Sequence, residues 1–194
     1  MSTIQQQGVD PLDGIAETLN RSAAATIAAA TRGLSPITLM LAATDWGVHL
    51  ARAPGKQMQL GAKAARKHMR LADYAARQTR DPDAEPAIEP LPQDRRFSDP
   101  AWKQQPFNLI AQSFLLNQQW WYAATTGIGG VSKHHEDIME FTTRQMLDVL
   151  APTNFLATNP VLQRKIMETS GKCLLDGFNN LIEDMQRQFR GLPP

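Results

Sequence analysis

Four times in this chain a small polar residue and a proline stand directly ahead of a helix-spaced apolar run: Asp10-Pro11, Ser35-Pro36, Asp99-Pro100 and Asn159-Pro160. The pairing marks a helix start. The first side chain accepts a hydrogen bond from an N–H of the first turn. The proline after it loses nothing by lacking an N–H, because that group would have no intrahelical partner. Ala53-Pro54 is a weaker version of the same signal. No strand is expected, since β-branched residues do not cluster and no alternating run is bounded by turn residues. The sequence therefore reads as all-α, with about six helices.

Apolar spacing gives each helix an expected inner face. Helix 11–32 carries Ile15, Leu19, Ala23, Ile27 and Ala30, a stripe of mostly small side chains with a weak grip on any core. Helix 36–52 carries Leu39, Met40, Ala43, Trp46, Gly47 and Leu50, and helix 55–79 carries Met58, Ala62, Ala65, Met69, Ala72 and Ala76. The strongest signal lies in 102–122, where Phe107, Ile110, Ala111, Phe114, Leu115 and Trp121 follow helical spacing and Pro106 restarts the helix. Residues 132–150 follow, capped by Ser132, with Ile138, Phe141, Met146, Val149 and Leu150 inward. A last helix over 160–189 carries Leu162, Ile166, Leu174, Phe178, Leu181, Met185 and Phe189.

Charge divides the chain. Residues 1–80 hold ten Lys/Arg against five Asp/Glu, and residues 81–194 hold ten against fourteen, which conceals a +5 and a −4 inside a net charge of +1. The change falls at "RDPDAEPAIEPLPQDRRF", whose four prolines and many charges cannot bury a core. The expected organisation is a looser, basic N-terminal helical arm over 1–79, a Pro-rich linker over 80–95 and a helical bundle over 96–194. The basic residues Lys56, Lys63, Arg66, Lys67, Arg70, Arg77 and Arg80 fit either a solvated helix face or a surface meeting an anionic partner. They form no recognisable nucleic-acid motif, so no nucleic-acid partner is expected. The longest apolar run, 34–51, is broken by Asp45 and His49 and is too short to span a bilayer. With no signal peptide and one cysteine, a cytoplasmic location is expected.

The candidates for chemistry are weak, and no catalytic, cofactor-binding or metal-binding residue is assigned. Cys173 in "SGKCLLDG" has Gly171 two residues before it but Leu175 two residues after, so a nucleophile elbow lacks its second glycine. "HHEDIMEF" lacks a zinc helix's second histidine, because Met139 stands where it would be. "TTGIGGVS" has three glycines but no phosphate-loop lysine, and it reads as a helix-to-helix turn. Trp120, Trp121 and Tyr122 are adjacent and cannot all face one core, so at least one is expected at the surface or on a partner.

Two segments carry a resemblance. "RRFSDPAWKQQPFNLIAQSFLLNQQWW" and "VLAPTNFLATNPVLQRKIMETSGKCLLDGFNNLIEDM" resemble the N-terminal region of class I polyhydroxyalkanoate synthases, the poly-3-hydroxybutyrate polymerases. The Phe97-Ser98-Asp99-Pro100-x-Trp102 entry and the Pro152 to Pro160 block carry most of it, over residues 95–194. Residues 15–60 resemble a short extra N-terminal segment found on some of these synthases. The resemblance implies an acyltransferase parent that moves (R)-3-hydroxyacyl groups from coenzyme A thioesters onto a growing polyester. In that family a cysteine in a lipase-like box of an α/β-hydrolase domain does the chemistry. The expectation is that this chain stops before such a domain and is a non-catalytic region of the synthase. Its implied partners are that catalytic domain, a second synthase protomer, and the polymer granule surface or its proteins. The alternative is a stand-alone, phasin-like helical protein binding a granule or membrane surface, for which the basic third helix offers a cationic face. In the Pro152–Pro160 block, Phe155 and Leu156 are expected to plug the connection into apolar surface.

Overall fold

The computed structural model describes residues 14–22 and 35–191, among which there is no strand. Residues 14–22 are helical (α1). They are followed by α2 (Pro36–Ala51), α3 (Pro54–Gln78), a 3-10 turn (Pro100–Lys103), α4 (Phe107–Thr125) and α5 (Lys133–Val149). A second 3-10 turn (Pro152–Asn154), α6 (Pro160–Glu168) and α7 (Lys172–Phe189) are the last of the described elements. The cap at Asp10-Pro11 and the positions Ala23, Ile27 and Ala30 lie outside the described residues, while Ile15 and Leu19 are exposed. The other proline-led starts are all present. Asp99 accepts from the Ala101 N–H, and Asn159 accepts from those of Val161 and Leu162. Ser35 makes no side-chain cap bond, so at α2 the proline alone sets the start.

α4 is the centre. Its buried residues include Asn108, Ala111, Phe114, Leu116, Ala124 and Thr125, which lie around most of the helix circumference and not on one stripe. A helix covered on several sides must be the one that others pack on. α3 lies along it through Leu60 against Ala123 and Ala124, joined by Leu50, Trp120 and Trp121. Further along, Tyr74 meets Leu116 and Ala87, with Leu71, Ile88 and Leu109 around them. α5 flanks α4, and α2 packs most extensively on α5.

The end of α4 ties these helices together. The last carbonyls of a helix have no intrahelical donor. Trp46 of α2 donates its indole N–H to the Ala124 carbonyl at 2.9 Å. The Lys56 ammonium of α3 donates to the Thr126 carbonyl at 2.6 Å, putting a cation at the negative end of the α4 dipole. Burial holds the Lys56 pKa below its usual value, with a further lowering from Lys63. From α5, Glu136 accepts the Gly127 N–H at 2.6 Å.

Several expectations are corrected here. α2 and α3 belong to the bundle and do not form a loose arm, because α3 supplies Leu60, Leu71 and Tyr74 to the two core clusters, and α2 supplies Leu50 to the first and packs on α5. The inner face of α3 is Leu60, Ala64, Lys67, Leu71, Tyr74 and Gln78, half a turn away from the expected Met58–Ala76 seam, which is exposed. Met40 of α2 is also exposed, as are Phe141, Met146, Val149 and Leu150 of α5, where only Ile138 of the expected set is buried.

The proline-rich segment after α3 is not a solvated linker. It is a strap laid over α3 and α4. Arg70 donates to the Ala87 carbonyl, Arg77 to Glu85 and Gln78 to Ala84. The buried Gln112 side chain makes a two-way amide pair with Ile88, accepting its N–H at 2.8 Å and donating to its carbonyl at 3.1 Å. Ala87 is buried as a result. Prolines reduce the entropy lost on ordering such a strap, and the side-chain amides replace the missing ladder partners.

The expected last helix is two helices. At its end α6 passes through Ser170 and Gly171, both with positive φ (48° and 82°). The Gly171 N–H reaches back to the Ile166 carbonyl at 2.8 Å, and that of Ser170 to Met167 at 3.2 Å, which is a Schellman turn.

Trp46→Phe keeps the ring and deletes the donor. We expect it to lower stability by about 1 kcal/mol in urea unfolding, with an unchanged m-value.

Candidate functional site

The polar residues of the Phe97–Trp102 and Pro152–Pro160 blocks are committed to the fold. Asp99, besides its cap, accepts from Arg164 of α6 at 2.9 Å, which draws its pKa down. Trp102 is buried edge-on to Phe97, with centroids 4.9 Å apart. Asn154 donates to the carbonyls of Asp148 and Val149, closing the end of α5. Asn159 donates to Thr153, and Gln163 to Leu156 and Ala157. Phe155 and Leu156, however, are each 46% exposed, which corrects the expectation that they plug into this bundle. The turn is held by amide side chains, so its apolar residues are left over for something else.

Arg96 is the electrostatic centre of the strap. It pairs with Asp94 at 2.7 Å and with Asp148 of α5 at 2.8 Å, and it lies over the Phe114 ring at 5.2 Å. Its hydrogen bonds hold the Asp94 carboxyl below the usual carboxylate range. Between the strap, α4 and α5 lies an open groove of about 980 Å³, whose walls include Leu91, Trp121, Tyr122, Arg144 and Leu147. Tyr122 is the outward member of the aromatic triplet. Trp120 is anchored by a bond from its indole N–H to the Leu60 carbonyl at 3.0 Å.

The weak chemical candidates are engaged in structure. The Gly127 N–H, which a phosphate cradle would need, is taken by Glu136. A side chain at Gly130, where φ is 95°, would run into the His49 ring. His135 and His49 both turn to Asp45, at 2.6 and 2.9 Å, and His134 is 5.9 Å from His135 ring to ring. Among the described residues no three His, Cys, Asp or Glu side chains are grouped to hold a metal. Cys173 lies in the first turn of α7, half-buried.

The most unusual surface is α7 itself. None of its residues is buried, and beyond α6 it has at most marginal contacts. Leu174, Phe178, Leu181 and Met185 follow a 4-3-4 spacing, and Leu175, Ile182 and Phe189 widen the stripe on one side. These seven side chains are 37–86% exposed. Asp176, Glu183 and Arg190 lie on the other face. A stripe three positions wide is that of a helix facing a globular core and is broader than a two-stranded coiled-coil seam. Each such side chain gains about 1.5–3 kcal/mol on full burial, so a cover for this face is strongly favoured. Periodicity identifies the stripe but carries no information on whether this bundle covers it.

Comparison with known proteins follows the same segments. The model of the poly-beta-hydroxybutyrate polymerase (PhaC) N-terminus matches residues 93–192, and a second model, poly-beta-hydroxybutyrate polymerase N terminal, matches residues 14–56. A poly(3-hydroxyalkanoate) polymerase of Methylorubrum extorquens is 34% identical over 152 residues, 77% of this chain and 24% of the relative. A poly(3-hydroxyalkanoate) polymerase subunit of Cupriavidus necator is 36% identical over 95 residues, 48% of this chain and 16% of the relative. One from Rhizobium meliloti is 34% identical over 93 residues, 47% and 15% respectively. The chain thus spans a quarter or less of the length of these relatives. No solved structure matches it significantly.

Asp94→Asn provides a pH test. A carboxyl whose folded pKa is depressed stabilises in full above its unfolded pKa of about 4 and loses that contribution as pH falls through the folded value. Wild type should therefore lose Tm in the window below about pH 4, as pH falls through the depressed folded value. Asp94→Asn should start lower at neutral pH and lose less over that window.

Proposed function

Because the chain belongs to the family of poly-beta-hydroxybutyrate polymerase N-termini, we propose that it is the non-catalytic, supporting region of a polyhydroxyalkanoate synthase. The parent enzyme in this reading transfers (R)-3-hydroxyacyl groups from coenzyme A thioesters to a growing polyester. The chain's own task is to hold the α/β-hydrolase domain that does the chemistry. The observation that carries this reading is the α7 face, a continuous stripe of seven large apolar side chains that the bundle leaves uncovered. Phe155 and Leu156, each 46% exposed, add apolar surface in the turn before α6. No helix of the described residues is long and apolar enough to cross a membrane.

A second reading draws on the same face. An amphipathic helix with Lys172 at one end and Arg187 and Arg190 at the other also suits a granule surface, as in a cytoplasmic, phasin-like protein. Contact with a second synthase protomer is a further use of that face.

The test is a titration of the chain against the hydrolase region of the Methylorubrum extorquens polymerase. Micromolar or tighter binding is expected. Phe178→Glu with Leu181→Glu should weaken it by at least about a hundredfold, the loss expected for two well-buried anchors, with the thermal transition unchanged. Absence of binding, together with cosedimentation on polymer granules, would favour the granule reading. Alone with 3-hydroxybutyryl-CoA the chain should release no coenzyme A. Turnover that survives Cys173→Ala would mean that it carries an active site of its own. Phe155→Ala should change the stability of the isolated chain by no more than about 1 kcal/mol, well below the 3–5 kcal/mol typical of a buried phenylalanine.

A further inference from the structure

α5 is longer than the helix that covers it. Asp45 of α2 bonds His135 at 2.6 Å, and His49, one turn further along α2, lies against Gly130. The two helices therefore run antiparallel. Nine residues separate Asp45 from Pro36, where α2 begins, and nine residues on from His135 is Arg144. α5 continues for five more residues to Val149, about 7.5 Å at the helical rise. The side that α2 covers carries Ile138, Met139 and Thr142, which are buried or half-buried. The same side runs on as Met146 and Val149, four and seven residues after Thr142, and these are 59% and 60% exposed. Leu150, one turn after Met146, is 57% exposed.

A cover for this end has to be small and apolar. Arg144 and Asp148 line the groove on the other side of α5, and Asp148 is held by Arg96. The patch itself has no lysine or arginine to hold an anionic lipid surface. Three side chains also fall well short of the ~800 Å² that each partner buries in a stable complex of separate proteins. A segment of the same chain needs no such area, because a short connection holds it at a millimolar effective concentration.

α1 meets these requirements. It precedes α2, so the chain leads to it from the end of α2 that stops short on α5. Residues 23–34 join the two helices, and twelve residues reach up to about 40 Å. Ile15 and Leu19 stand one turn apart and are exposed, while the Glu17–Arg21 ion pair lies on the opposite side of the helix. The nine residues of α1 are too few to hold a helix in water without packing. α1 thus lacks a cover, as does the end of α5. The family model that matches residues 14–56 takes in α1 and α2 together.

We propose that Ile15 and Leu19 of α1 dock on Met146, Val149 and Leu150, so that α1 continues the cover that α2 begins on α5. The contact does not depend on what covers α7.

The test is cysteine labelling of the whole chain in a Cys173→Ser background. Val149→Cys should react with a maleimide at least about tenfold more slowly than the same protein carrying Ile15→Asp and Leu19→Asp. Met69→Cys, on the exposed side of α3, should react at the same rate with either form of α1. Fluorescence of the four tryptophans, all of which lie in the bundle, reports that each variant is folded. A Val149→Cys rate untouched by the α1 substitutions overturns the proposal. Equal protection of Met69→Cys also overturns it, since α1 then has no preferred seat. So does protection of Val149→Cys that grows with protein concentration, which assigns this end of α5 to a second copy.

Discussion

The fold depends on how the C-terminal end of α4 is satisfied. A helix buried on several sides cannot leave its last carbonyls to water, and here the neighbours supply the donors. An indole from α2 and an ammonium from α3 converge on residues 124–126, while a carboxylate from α5 takes the next N–H. Each helix that packs on α4 therefore also closes it. Three separate chain segments must be in register for this to happen, which couples the positions of α2, α3 and α5 to one point. Small side chains make it possible: Ala123, Ala124 and Thr125 let the neighbours approach close enough to bond.

A second constraint runs through side-chain amides. Asn108, Gln112 and Gln78 are buried, and each is paired. Asn108 donates to Gln78 at 3.0 Å, Gln78 donates to the strap at Ala84, and Gln112 holds Ile88 by both its polar atoms. The strap thus has a defined register on the bundle despite its four prolines. At its far end Arg96 fastens it to α5 through Asp148. The groove beside Tyr122 is the space left between strap and helices.

What could be read from the residues was the local chemistry. Where a small polar residue and a proline precede a helix-spaced apolar run, as at Ser35-Pro36, Asp99-Pro100 and Asn159-Pro160, a helical turn begins there, whereas Asp81-Pro82, ahead of a charged and proline-rich run, begins none. The glycine and serine before Lys172 held the same kind of information about the break in the last helix. Unbroken apolar spacing across the gap concealed it. The choice of faces was harder. α3 has heptad spacing on both sides, and hydropathy prefers the side with two methionines to the side with Lys67 and Gln78. The buried side wins because a lysine can run its methylenes along the core while its ammonium reaches Gln119, and because Gln78 finds amide partners. Neither pairing has a signature within the helix itself. The same limit applies to α5 and α7, where periodicity identifies an apolar face but is silent on whether this bundle covers it. Of the candidate site, the stripe was legible and its exposure was not.

The Schellman turn at Ser170 and Gly171 carries a thermodynamic consequence. It ends α6 in its own hydrogen bonds and starts α7 as a separate helix of 18 residues with little tertiary support. Isolated helices of that length are marginal in water, because nucleation is costly and only packing offsets it. The helical order of α7 is therefore linked to whatever covers its apolar side. The entropy of ordering it is drawn from the contact it makes, so α7 and its cover should gain protection from hydrogen exchange as one cooperative unit, separate from the bundle behind them.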